Sequence, residues 1–311
     1  MKAALLAIAC MTILCDAASA QVATQQMNRL ASADEFKVGR FSLAYARPVK
    51  QVVKAPLLTD LSKPDVDLRP SINNFKLKIR DQGNTRNTCS VHALTFLIEY
   101  EYARQNLGLV TNDLSEEYLN YVTNLATGNT NDGDFFFNIN KGHQKYGHAM
   151  QAQVANKSFF DPNFKVSQDL LNAGAKNWPR LVANIIKENA NFTTNTADDA
   201  QPFGLTSAQF DYILAQLEAD RPVAVGLRWP PKEKYATETV LGVELLKHLP
   251  ASDLTADHSV ALVGYRKYKG YPGGGYFIIR NSWGDDYGNK GYGYLSFEYV
   301  KAHAADAMTY K

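Results

Sequence analysis

Hydrophobic positions along the 311-residue chain follow a helical period first and a strand period later. Val91, Leu94, Thr95, Ile98 and Tyr102 fall on one side of a helical wheel; Ala93, Phe96, Leu97 and Tyr100 fall on the other. Ser90 to Asn106 therefore predicts a helix apolar nearly all round, which is a buried helix, ending near Gly108. Ser115 predicts the N-cap of the next helix, with Glu116 and Glu117 in its first turn and Leu114 and Leu119 as a hydrophobic staple. Thr127 to Asp134 is a Gly/Asn/Asp-rich loop. Phe135 to Tyr146 predicts a third helix, closed by Gly147. Trp178 to Glu188 predicts another on the stripe Leu181, Ile185 and Ile186. Thr206 to Ala219 predicts a last one, opened by a Thr206/Gln209 capping box.

The strand period appears at Phe75 to Ile79, Pro222 to Leu227, Ser259 to Tyr265, Tyr276 to Arg280 and Gly291 to Glu298. Gly270 and Pro272 to Gly275 predict the turn between the third and fourth of these. Lys232 to Leu254 fits no single period and reads as an insertion. Helices first and strands last imply an α+β protein with segregated halves, helical over about 89–190 and β over about 200–311.

The N-terminus adds a different kind of segment. Lys2, the apolar run Ala3 to Leu14 and Ala18-Ser19-Ala20 read as a secretory signal cleaved after Ala20. Residues 21–62 carry only scattered signals and read as an N-terminal arm or short pro-segment ahead of a domain spanning 63–311. No other apolar stretch approaches membrane-spanning length, so a secreted or periplasmic protein with no membrane contact in its mature form is expected. The net charge of +2 survives loss of residues 1–20, because Lys2 and Asp16 cancel. No basic field or charged tail points to nucleic acid, and a monomer without cofactor or metal is expected.

Export changes the meaning of the cysteines. Cys10 and Cys15 leave with the signal, so Cys89 stands alone in the mature chain and forms no internal disulfide. It follows the polar loop Asp81 to Thr88 and opens the buried helix. Unpaired N–H groups and the helix dipole favour a thiolate there, which is the nucleophilic form. The alternative is a small buried cysteine that only packs.

A nucleophilic cysteine needs a base and a group to orient that base. Among His92, His143, His148, His248, His258 and His303, the favoured base is His258, just before an apolar strand; His92 is second. His143 and His148 flank a helix end, and His248 and His303 read as solvated. Asn281 ends the strand antiparallel to the one after His258, so the two are expected side by side, with Trp283 covering them.

Gln82…Cys89, Asp257-His258-Ser259-Val260-Ala261-Leu262-Val263-Gly264-Tyr265 and Arg280-Asn281-Ser282-Trp283-Gly284 together resemble the papain-like cysteine peptidases. Asp67-Leu68-Arg69, Leu114 to Glu117 and Gly291 to Tyr294 extend the resemblance over about residues 63 to 300. It implies a two-domain fold with a cleft between a helical half and a β-barrel-like half, and a peptide or protein substrate. It implies Cys89 as nucleophile, His258 as base and then acid, Asn281 as its holder, and Gln82 with the Cys89 N–H as oxyanion donors. Gly133 and Asp257 are carried over as substrate-binding positions.

The chain departs from the family pattern at four points. Ser90 stands where a tryptophan usually follows the nucleophile, and Arg86-Asn87-Thr88-Cys89-Ser90 lacks the first cysteine of the usual signature. Gln82 to Cys89 is seven positions, one more than usual. His258 lies 169 positions after Cys89 against the about 130–150 usual, which places extra residues at 190–205 and 232–254. The expected activity is that of an exported, disulfide-free thiol peptidase, restrained by residues 21–62. The alternatives are a catalytically impaired binding protein and a thiol amidase or transpeptidase acting on cell-wall peptides.

Overall fold

The computed structural model describes residues 64–107, 113–188 and 203–311. The expectations for residues 1–62, for Gly108 and for most of 190–205 lie outside the described residues.

The helical half is led by α2 (Cys89–Arg104), which follows a short α1 (Arg69–Asn74). Every residue of α2 from Cys89 to Tyr102 is buried, including Glu99 and Glu101. The all-round apolar pattern puts this helix through the centre of the molecule, as a helix with no polar face must be. α3 (Glu116–Thr127) starts at Ser115, whose hydroxyl accepts the Tyr118 N–H at 2.9 Å, and stops at Gly128 with φ 75°. Leu114 and Leu119 are both buried. α4 (Phe136–Tyr146) ends at Gly147 as expected. α5 (Gln168–Asn177), α6 (Ser207–Glu218) and α7 (Phe297–His303) complete the described helices. Thr206 and Gln209 cap α6 reciprocally.

The β half is antiparallel throughout. β1 (Val66–Asp67), β2 (Ala183–Lys187), β3 (Val223–Trp229), β6 (Ala256–Lys267), β7 (Gly275–Arg280), β8 (Tyr292–Ser296) and β9 (Ala304–Tyr310) form one sheet. The order is β2-β9-β3-β6-β7-β8, with β1 added along β6. β4 (Thr237–Val240) and β5 (Val243–Leu246) make a separate hairpin within the expected insertion. α2 packs across β6 and β3. In register, Leu227 faces His258 and Ala261 faces Arg280, so the beginning of β6 and the end of β7 come together beside the start of α2.

Several elements differ from the sequence expectation. Phe75 to Ile79 is not a strand. Pro70 in the first turn supports α1 instead, Lys76 turns the chain at φ 58°, and the Leu77 N–H bonds back to the Ile72 carbonyl at 3.1 Å. Trp178 to Glu188 is not a helix: its Ile185 and Ile186 lie in β2, which pairs with β9 from Ala183 opposite Tyr310. Three apolar residues fit both periods, and the β-branched pair takes the strand. α5 went unread, although Ser167 caps it through the Leu170 N–H. β9 also went unread. It is buried on every residue and so shows no alternation. Gly291 to Glu298 splits between β8 and the first residues of α7.

Candidate active site

Cys89 opens α2 and is 1% exposed. Burial pushes its thiol up to about 12, and the nearby Asp257 carboxylate acts the same way. The backbone and hydroxyl of Ser259 and the backbone of Ser90 pull in the opposite direction. Burial therefore works against the thiolate expected from the helix terminus. The sulfur lies against Ser259, the residue immediately after His258.

His258 is 2% exposed, and its Nε2 lies 2.7 Å from Oδ1 of Asn281. That oxygen also accepts the Ser282 N–H at 2.8 Å, which fixes the amide orientation. Nε2 thus carries the ring proton, and Nδ1 is left as the basic nitrogen. Trp283 stacks on the imidazole at 4.6 Å between ring centroids. Trp229, at the end of β3, meets the ring edge-on at 5.0 Å and also touches Trp283. Burial among these rings pushes His258 down to about 4, against the Asn281 hydrogen bond that raises it. Burial thus acts toward the neutral form of both groups, the Cys89 thiol and the His258 imidazole.

The loop before Cys89 is sewn to the Asn281 loop. Gln82 N–H donates to the Ser282 carbonyl and Gly284 N–H to the Arg80 carbonyl, both at 2.9 Å, and Asp81 bridges Trp283. The Gln82 side chain is buried; its Oε1 accepts the Ser282 hydroxyl at 2.6 Å and its Nε2 donates to the Arg86 carbonyl at 3.0 Å. One N–H of that amide remains for another acceptor. Arg86 is itself buried and ion-paired to Glu117 and Asp132.

Behind Asn281 lies a second buried ionic group. Arg80 pairs with Glu99 on α2, with Glu116 on α3 and with Asp113 at 3.0 Å. Arg280, just before Asn281, stacks on Phe96 at 4.1 Å and donates to the Lys78 carbonyl. Arg80, Glu99, Glu116, Phe96 and Arg280, with His92 and Ser259, line a cavity of about 10 Å³, room for one water. Burial pushes Glu99 up to about 7 despite Arg80.

The remaining sequence candidates separate cleanly. His92 turns back along its own helix, Nδ1 to the Thr88 carbonyl at 2.9 Å, and takes no place beside the thiol. His143 accepts the Leu181 N–H at Nε2, so its Nδ1 proton is donated to His148 Nε2 at 2.8 Å. Burial holds both rings neutral, His143 down to about 3. His303, read as solvated, is buried; its Nε2 meets His248 Nε2 at 2.8 Å and tethers α7 to the segment after β5. Gly133 sits at φ 89° and its N–H is taken by Asn120 Oδ1 at 2.9 Å, which leaves its carbonyl. Asp257 pairs in register with Arg228 at the start of β6 and contributes its charge to the thiol environment. Ser90, in the position of the usual tryptophan, is buried and its hydroxyl accepts the Asp134 N–H at 3.4 Å.

Sequence reasoning passed over Trp229, Ser259, Ser282 and Arg86. Trp229 was within reach: β3 precedes β6, and adjacent antiparallel strands put its end beside His258. Ser282 and Ser259 each follow a residue that had been singled out. Arg86 had no local signal, since its carboxylate partners come from distant segments. Among the described residues no group of three or more His, Cys, Asp or Glu could hold a metal ion. No described helix is long and apolar enough to cross a membrane.

This arrangement unites a thiol, a nitrogen base oriented by an amide, and a partly free amide N–H beside a helix start. Chemically it suits acyl transfer. Comparison with known proteins points the same way. The model of the papain family cysteine proteases matches residues 99–310. A curated cysteine protease of Blomia tropicalis is 46% identical over 55 residues, 18% of this chain and 16% of that protein. Xylellain, a cysteine protease from Xylella fastidiosa, superposes with a TM-score of 0.57 at 20% identity, over 88% of this chain and 96% of its own. Digestive procathepsin L 3 of Tenebrio molitor does so with a TM-score of 0.51 at 20% identity, over 84% of this chain and 74% of its own. The α+β architecture is accordingly the two-domain papain-like fold, and the chain belongs to the papain family of cysteine proteases.

Proposed function

We propose that this protein is an exported thiol peptidase that hydrolyses peptide bonds through Cys89, His258 and Asn281 and is made in a restrained form. The observation that carries the reading is the His258–Asn281 hydrogen bond at 2.7 Å, set beside a thiol lying against Ser259. In this reading His258 Nδ1 takes the Cys89 proton as the sulfur attacks the substrate carbonyl carbon. The free N–H of Gln82 and the Cys89 backbone N–H donate to the oxyanion. The C–N bond then breaks, and His258 gives its proton to the leaving amine. Water enters, yields a proton to His258 and releases the acid from the thioester, which restores the thiol. Trp283 and Trp229 exclude water from the imidazole–amide hydrogen bond.

Restraint by residues 21–62 rests on their position in the sequence, as a segment ahead of the peptidase domain. One of the similar solved structures is a proenzyme by name. Residues 1–20 as an export signal complete the reading.

The test compares the full chain with one lacking residues 21–62, using unfolded protein and cell-wall peptides as substrates. Deletion is expected to raise turnover of unfolded protein and labelling by an epoxide thiol inhibitor, and Cys89→Ala to abolish both. No gain on deletion would refute the restraint. Absence of labelling in both forms would sink the peptidase reading, and cleavage confined to cell-wall peptides would replace it with the amidase.

A further inference from the structure

Arg86 is a buried cation three positions before Cys89, with 2% of its side chain exposed. Four of its five N–H groups are used. Nε and Nη2 donate to Asp132 Oδ1 at 3.0 and 2.9 Å, and Nη1 donates to Glu117 Oε2 at 2.6 Å and to the Lys157 carbonyl at 2.7 Å. Asp132 also accepts the Asn87 N–H at 2.7 Å. One guanidinium therefore joins the pre-Cys89 loop to α3, to the loop containing Gly133 and to the segment at Lys157. These bonds fix the backbone at 86–87, and the Arg86 carbonyl is the acceptor that orients the Gln82 amide nitrogen. Ser282 fixes the other end of the same amide.

We propose that Arg86 is a positioning residue for the oxyanion site: its buried ion pairs set the carbonyl that aims the Gln82 N–H at the substrate. The loop is one residue longer than usual and has no disulfide, because Cys89 is the only cysteine after residue 20. A planar fork held by two carboxylates supplies the fixed geometry that such a loop otherwise lacks. Lysine offers a point charge in place of the fork, so Arg86→Lys keeps the charge and loses the geometry. The site therefore tolerates reducing agents that would loosen a disulfide-pinned loop.

The inference rests on the peptidase reading, and the experiment separates the two. Peptide turnover and alkylation of Cys89 by iodoacetamide are measured on the full chain, as made and after limited proteolysis, for wild type, Arg86→Lys, Asp132→Asn, Gln82→Ala and Arg86→Lys/Gln82→Ala. Alkylation needs the thiolate but forms no oxyanion. The expected result is a fall in kcat of about tenfold or more for Arg86→Lys and Asp132→Asn, with KM and the alkylation rate within about twofold. In the double variant the expected kcat is no lower than in Gln82→Ala alone, since both changes remove one function. Equal loss of turnover and alkylation, multiplicative losses in the double variant, or unchanged kcat in Arg86→Lys would each overturn the inference while leaving the peptidase reading intact. A wild-type chain inert in turnover before and after proteolysis would overturn both.

Discussion

The imidazole of His258 is gripped from one edge by Asn281, Nε2 to Oδ1 at 2.7 Å, and that grip leaves Nδ1 as the basic nitrogen. Asn281→Ala removes the orienting acceptor and is expected to lower kcat about tenfold or more, in line with the worth of a positioned base. Asn281→Asp asks a subtler question. A carboxylate there stabilises the imidazolium and raises His258 from about 4. The base must be neutral to take the thiol proton, so the acid limb of the kcat/KM profile moves to higher pH. An acid limb that stays put in Asn281→Asp would remove Asn281 from its role.

Trp283 shields the same pair. Replacing it by alanine costs about 3–5 kcal/mol of stability and lets water reach both partners. With burial weakened, His258 rises from about 4 and Cys89 falls from about 12. The pH midpoint for iodoacetamide alkylation of Cys89 is expected to fall in Trp283→Ala relative to the intact closed protein. A midpoint unchanged by the substitution would show that the indole does not keep the thiol neutral.

Asp306 on β9 is fully enclosed, and one carboxyl oxygen accepts the Phe136 N–H at 3.3 Å. Burial raises it from the ordinary 3.8 to about 7. Between about pH 4 and 7 the unfolded chain has released this proton and the folded chain keeps it. Stability from this residue is thus full at low pH and falls as pH rises, by at most about 1.4 kcal/mol per unit, levelling above about 7. Asp306→Asn lacks that loss. Its denaturant midpoint is expected to match wild type near pH 4 and to exceed it at pH 8. An equal difference at both values would contradict the assignment.

Gly147 closes α4 at φ 64°. A Cβ there would stand 2.1 Å from the Gly174 carbonyl of α5, which is backbone and cannot rotate away. Gly147→Ala is expected to cost about 2–4 kcal/mol, combining left-handed strain with overpacking. A thermal midpoint within a degree of wild type would refute this.

The parts of the fold legible in the sequence are those whose signal is local. α3, α4 and α6 each carry a period plus a cap within a few residues, as Ser115, Gly147 and Thr206 illustrate, and α2 is legible from its apolar run alone. The His258–Asn281 contact was legible because a hairpin turn, Pro272 to Gly275, forces the two strand ends together. What escaped depends on distant partners. β2 becomes a strand only by pairing with β9 at the far end of the chain, and β9 hides its strand nature by being buried on both faces. His303 looks solvated until His248 is placed against it, and Arg86 looks like a loop cation until Glu117 and Asp132 arrive. At Cys89 the helix start is a local signal, whereas the burial that opposes a thiolate, with Ser259 of β6 against the sulfur, depends on distant parts of the chain.

Enclosure of Cys89 also governs how the molecule ages. Peroxide attacks thiolates that solvent can reach. Burial pushes the Cys89 thiol up to about 12, so in the folded protein it presents less thiolate to that chemistry than an exposed cysteine does. Whatever opens the site to a peptide opens it equally to oxidants. In a chain without residues 1–20 there is no second cysteine to trap a sulfenic acid as an internal disulfide, and oxidation there proceeds toward the irreversible acids. The more of the sulfur that solvent reaches, the more the oxidant level around it sets how long the thiol lasts.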